Sequence, residues 1–245
     1  MVSRDVFYDT LCHILVIGAG LATALVLTRG AGQGLAVALA LYAAVAAAAL
    51  AGLPHHPFPR FGVANAVTLS RVAILAAVAG LSAADGAAEQ NRAVLAALAL
   101  AGLALDGVDG WAARRWGTVS AYGARFDLET DALTVLALSV IVALSGRAGP
   151  WVVGLGLLRY GFVLAGRAWP ALGRDLPPRA LRKLFYVFVV SALAAALAPL
   201  PAFLAASLCA AAGFALIYSF GSDCVWLLRT ARMTRPVPRL RQGTV

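Results

Sequence analysis

Apolar residues gather into stretches of about twenty, separated by short polar or Gly- and Pro-rich breaks. A bilayer core about 30 Å thick is crossed by roughly 20 mostly apolar helical residues. Eight stretches meet that length, some only if a few internal polar residues are allowed: about 10–28, 35–53, 65–84, 93–114, 124–145, 149–166, 183–200 and 202–227. The breaks carry turn residues: GAGQG at 30–34, PHHPFPR at 54–60, AADGAAEQ at 83–90, SGRAGP at 145–150 and APLP at 198–201, with a basic stretch over 167–183. The pattern predicts an all-α integral membrane protein of about eight transmembrane helices, without repeats or a separate soluble domain. The first stretch is longer than a secretory signal core and follows MVSRD, which mixes acid with base, so it reads as a retained helix.

Composition sharpens this. Of 245 residues, 62% are hydrophobic and 13% charged, whereas a soluble domain is about half apolar and a quarter charged. The net charge of +9 would suggest nucleic acid on a soluble domain, but basic loops of a membrane protein follow from topology and anionic lipid, so no nucleic-acid partner is expected. Eight crossings with the N-terminus inside place sixteen Lys and Arg residues on one face, among them Arg60, Arg114, Arg125, Arg167, Arg174, Arg179 and Lys183, against Arg29, Arg92 and Arg147 on the other. That bias predicts cytoplasmic N- and C-termini, a cytoplasmic 167–183 loop and a basic tail over 229–245 lying against anionic lipid. Cys12, Cys209 and Cys224 sit in or beside apolar runs and read as buried free thiols.

Five of the eleven acids, Asp106, Asp109, Asp127, Glu129 and Asp131, fall in one 26-residue window within or beside membrane segments. A mid-bilayer Asp costs about 2.5–3.5 kcal/mol on insertion scales, so the group needs compensating partners or a watery cavity. Asp106 and Asp109 are spaced i, i+3 and Asp127 and Asp131 i, i+4, so each pair shares a helical face. Glu129 points the other way, toward the interface. A short loop holding Arg114, Arg115 and Gly117 joins the two helices as antiparallel neighbours, and four carboxylates then converge. Such a cluster stays ionised only beside cations. Its oxygens suit Mg²⁺, Mn²⁺ or Ca²⁺, and two such ions would clamp a phosphate. The simpler alternative is a set of interfacial salt bridges to Arg114, Arg115 and Arg125. A divalent-cation transporter using the same acids is the alternative from another functional class.

The order Asp106-x-x-Asp109-Gly110-x-x-Ala113-Arg114, eight residues, then Gly123-x-x-x-Asp127-x-x-x-Asp131 resembles the signature of the CDP-alcohol phosphotransferase family, class I, at all eight identities. Upstream, Asn65-x-x-Thr68-x-x-Arg71 is similar to a second element of that family. The resemblance implies a six-helix catalytic core, here 61–228, preceded by a two-helix extension over 1–60. It implies transfer of a substituted phosphate from a CDP-linked donor to an alcohol, releasing CMP, with Mg²⁺ or Mn²⁺, two ions being expected. By the same resemblance Asp106, Asp109 and Asp127 are metal ligands and Asp131 is the base and a further ligand. Asn65, Thr68, Arg71, Gly110, Ala113, Arg114 and Gly123 lie along the donor, and a homodimer is expected. The favoured donor is CDP-diacylglycerol, with a polyol phosphate such as glycerol 3-phosphate or inositol phosphate as acceptor. A CDP-linked small alcohol with a lipid acceptor is the alternative.

Arg159 lies inside a predicted span with no acid in its own helix, so it must pair elsewhere, snorkel or bind an anion. With Arg125, Arg167, Arg174 and Lys183 it forms the expected acceptor pocket. Asp223 is expected to pair with Arg229 or with water.

Overall fold

The computed structural model describes residues 4–27, 32–84, 87–169, 172–174 and 180–233. Among the described residues, eight long helices follow the eight apolar stretches: α1 (Arg4–Leu27), α2 (Gln33–Gly52), α3 (Val63–Ala83), α4 (Arg92–Arg115), α5 (Ala121–Leu144), α6 (Val153–Ala168), α7 (Ala180–Leu197) and α8 (Ala202–Met233). A single helical turn, Ala87–Gln90, precedes α4, and the described residues contain no strand. Helices α1 to α4 and α8 are each long and apolar enough to cross a membrane. Helix α6 has only 16 residues, α7 opens on Arg182 and Lys183, and α5 carries Asp127, Glu129 and Asp131 in its first half. Residues Arg29, Arg179 and those beyond Met233 lie outside the described part.

Helix α3 is the hub. It packs against α1, α2, α4 and α5, and 56% of its most apolar stretch is buried, at least twice the share in each of the other four candidate spans. The α2–α3 crossing is close because both partners are glycine: a Cβ on Gly34 would stand 2.6 Å from the Gly80 carbonyl oxygen, and the reverse holds for Gly80. Helix α7 completes the bundle against α4, α5 and α8, burying Val189, Val190, Leu193 and Leu197.

Hydrogen bonds tie the two N-terminal helices to each other and to the rest. Tyr42 of α2 donates to the Ile14 carbonyl at 2.9 Å, Asp9 of α1 accepts from Phe61 N–H at 2.8 Å, and Tyr122 of α5 donates to the Ala49 carbonyl at 2.9 Å. Gly117, with φ of 65°, takes the left-handed conformation that turns the chain between α4 and α5. Ser120 then caps α5 by accepting from Gly123 N–H at 3.0 Å. Trp111, Trp116, Trp151 and Trp169 are exposed near helix ends. Cys209 is buried and Cys224 half-buried, but Cys12 is exposed on α1, because that helix has only one flank against the bundle.

At the end of the bundle away from the α4–α5 turn, Arg147 is buried rather than facing out. It donates from Nε to the Ala196 carbonyl at 3.0 Å and from Nη2 to those of Ala198, at 3.1 Å, and Leu200. A helix leaves its last carbonyls without intrahelical partners, and this guanidinium supplies one for Ala196 and ties the segment that follows α7 to it. Replacing Arg147 with Met is expected to cost about 1.5–3 kcal/mol through unsatisfied buried carbonyls, measured as a lower Tm of the detergent-purified protein. An unchanged Tm would mean that the cap contributes nothing.

Candidate active site

The carboxylates converge as their spacing predicts. Helix periodicity carries Asp106 and Asp109 on one face of α4 and Asp127 and Asp131 on one face of α5. The cation between them comes from the helix behind both. Arg71 of α3, with its side chain 3% exposed, places Nη1 2.9 Å from Asp109 Oδ2 and 2.5 Å from Asp127 Oδ1. Its Nη2 lies 2.5 Å from Asp131 Oδ1 and 3.1 Å from Asp106 Oδ1. One planar guanidinium therefore bridges all four acids, which its fork of five donors permits and a lysine could not match.

Neighbouring groups complete the shell. Thr68 donates to Asp109 Oδ2 at 3.1 Å, and Gly110 N–H donates to Asp109 Oδ1 at 2.6 Å. Arg71 Nη2 donates to Tyr186 Oη at 3.2 Å, and Lys183 Nζ, one turn before it on α7, lies 3.2 Å from Asp106 Oδ2. Tyr186 escaped the sequence reading. Its i, i+3 spacing from Lys183 was the available signal, since it puts both on one face of α7.

The predicted donor-side residues lie along the same end. Asn65 is buried, donates to the Phe61 carbonyl at 2.5 Å and packs on Gly123, where a Cβ would stand 3.0 Å from Asn65 Oδ1. Gly110, Ala113 and Arg114 continue along α4 from Asp109. Arg114 is exposed and folds over Gly110, with Nη1 3.3 Å from where a Cβ would be. The acids do not pair with Arg114, Arg115 or Arg125, because a buried cation closer to them has already taken those oxygens.

Of the five cations expected to form an acceptor pocket, only Lys183 touches the carboxylates. Arg167 and Arg174 are exposed, at and just beyond the end of α6. Arg125 and Arg159 are turned away: positions 125 and 129 lie on the face of α5 opposite 127 and 131, and Arg159 Nη2 pairs with Glu129 Oε1 at 2.8 Å. Glu129 is thus the acid that Arg159 lacks in its own helix. Asp223 pairs with Arg182, at 2.9 Å from Nε and 3.2 Å from Nη2, rather than with Arg229, since α7 and α8 are packed side by side.

The donor set fits a divalent cation. Asp106, Asp109 and Asp127 each offer an oxygen, all within 4.8 Å of one another, and hard carboxylate oxygens suit Mg²⁺ or Mn²⁺. Four ionised carboxylates against Arg71 and Lys183 also leave two negative charges in excess, which burial makes costly.

An all-helical membrane protein with a carboxylate cluster able to bind divalent cations is the class that this fold and site define. The model of the CDP-alcohol phosphatidyltransferase family matches residues 61–219, from two residues before α3 into α8, and the chain belongs to that family. It is accordingly a CDP-alcohol phosphotransferase, transferring a substituted phosphate from a CDP-alcohol to an alcohol, in a family that uses divalent metal. No curated protein and no solved structure matches the chain significantly.

Removing the central guanidinium leaves the carboxylates without their counter-ion. Arg71→Met is expected to lose about 3–5 kcal/mol of stability in EDTA and to regain part of it on adding Mg²⁺, read as Tm in detergent. Equal Tm values for variant and wild type in EDTA would show that the cluster needs no resident cation.

Proposed function

We propose that the protein transfers the phosphatidyl group of CDP-diacylglycerol to the hydroxyl of a polyol phosphate such as glycerol 3-phosphate or inositol phosphate, releasing CMP. The observation that carries this reading is the convergence of Asp106, Asp109, Asp127 and Asp131 on one point at the basic end of the bundle. Asp106, Asp109 and Asp127 would hold the divalent ions, which when bound neutralise the diphosphate and the departing CMP. The charge balance favours two ions: added to an excess of two negative charges they leave two positive ones, the complement of a doubly charged diphosphate diester.

Asp131 stands outside the trio whose oxygens lie closest together. Its side chain is 21% exposed, and Arg71 holds it in place. That combination suits a base that takes the proton of the incoming hydroxyl while its oxygen forms the new bond to phosphorus and the bond from phosphorus to the CMP oxygen breaks. Asn65, Thr68, Gly110, Ala113, Arg114 and Gly123 line the nucleotide side. Lys183, with Arg167 and Arg174 at the same end, receives the acceptor phosphate, whereas Arg125 and Arg159 face elsewhere.

The bias of basic residues supports a cytoplasmic site, where a water-soluble nucleotide and a lipid tail meet, with both termini on that side. We read 61–228 as the catalytic core, 1–60 as an added two-helix unit, and the working form as a homodimer.

Purified protein with Mg²⁺ and CDP-diacylglycerol is expected to release CMP only when the right acceptor is added. No release across a broad acceptor panel, with metal flux into liposomes instead, would overturn the reading. Asp131→Asn is expected to abolish turnover, by at least the roughly 10²–10⁴-fold that a positioned base contributes, while keeping nucleotide binding. Binding lost as fully as in Asp106→Asn would remove Asp131 from the role of base.

A further inference from the structure

The face of α5 turned away from the carboxylates borders an open groove of about 390 Å³. Tyr122, Phe126 and Leu133 form one wall and Leu41 and Ala48 of α2 the other, while α3 packs against both helices. The α2 wall precedes the family match, which begins at residue 61. Eleven residues of helix separate Tyr122 from Leu133, so the groove runs about 16 Å from the basic end inward, close to the depth of one leaflet.

Its shape limits what can lie in it. Along that length the groove is open at the side and lined by side chains of both α2 and α5. An alkyl chain laid lengthwise fits a slot of that length. Charge limits it further. Arg125, at the basic end of the groove, is exposed and makes no ion pair or hydrogen bond among the described residues. Nearby, Arg159 spends Nη2 on Glu129 while its Nε is buried without a partner. Glu129 also lines the groove, but its charge is met by Arg159, so a mostly apolar slot one leaflet deep under the unpaired Arg125 matches a molecule with an alkyl chain below and an anion above.

We propose that this groove binds one acyl chain of an anionic phospholipid, with the lipid phosphate on Arg125. The lipid then bridges α2, outside the family match, to α5, the helix that carries Asp127 and Asp131. This gives the two-helix extension a physical link to the site. The attraction of anionic headgroups to basic residues at a membrane surface supplies the selectivity.

Native mass spectrometry of the delipidated, full-length protein, without metal or donor, tests this independently of the reaction. Wild type is expected to take up one phosphatidylglycerol per chain in preference to phosphatidylcholine. Arg125→Glu is expected to weaken phosphatidylglycerol binding roughly tenfold and lose the preference. Ala48→Trp fills the groove from an exposed position and is expected to abolish binding of both lipids, whereas Leu164→Trp on the exposed face of α6 leaves binding intact. Unchanged binding in Ala48→Trp would overturn the proposal. So would displacement of the lipid by CDP-diacylglycerol with Mg²⁺, which would make the groove the donor's own, or conversion of a dimer to a monomer by Ala48→Trp with lipid binding unchanged, which would make it a contact between copies.

Discussion

The structure depends on one arginine among four aspartates. Burying a charge without a partner costs several kcal/mol, and four like charges brought together cannot all remain ionised unless cations stand between them. Arg71 meets that demand from the most buried helix of the bundle, with three of its ion pairs at 2.5 to 2.9 Å. Its placement requires α3 to lie behind both α4 and α5, so the central position of α3 and the geometry of the site follow from the same constraint. Thr68 and Tyr186 fix the ends of the arrangement, and Lys183 adds a second positive charge against Asp106.

The remaining interactions keep the helices in register for that cluster. Gly34 and Gly80 allow α2 to approach α3, and Ser120 fixes the start of α5 seven residues before Asp127, so the two α5 carboxylates face inward and Arg125 and Glu129 outward. Arg147 closes the far end of α7 by accepting none and donating to three carbonyls, which holds the helix that brings Lys183 and Tyr186 to the site. One helix, α5, thereby presents chemically distinct faces: Asp127 and Asp131 toward the carboxylate cluster, and Tyr122, Phe126 and Leu133 with Arg125 and Glu129 toward the groove beside α2.

Much of this is legible in the chain alone. Eight apolar stretches become eight helices with ends shifted by a few residues, because a segment of about twenty apolar residues has few other ways to satisfy its backbone in lipid. The i, i+3 and i, i+4 spacings of the aspartates place each pair on one face, and local helical geometry carries that through unchanged. The family resemblance adds the reaction class on the strength of eight residues at fixed spacing. Contacts between helices far apart in sequence are another matter. Arg71 is 38 residues from Asp109 and 60 from Asp131, and no local rule singles it out over Arg114 or Arg125 as the partner.

The sequence by itself determined the class of fold, the faces on which the acids lie and the chemistry they share, since these rest on hydropathy and on periodicities within single helices. Only the tertiary structure decided which cation meets which acid: Arg71 with the four aspartates, Arg159 with Glu129, Arg182 with Asp223. Those pairings depend on how the helices are rotated and stacked against one another, and that is set by packing summed over the whole bundle, not by the spacing of residues along any one segment.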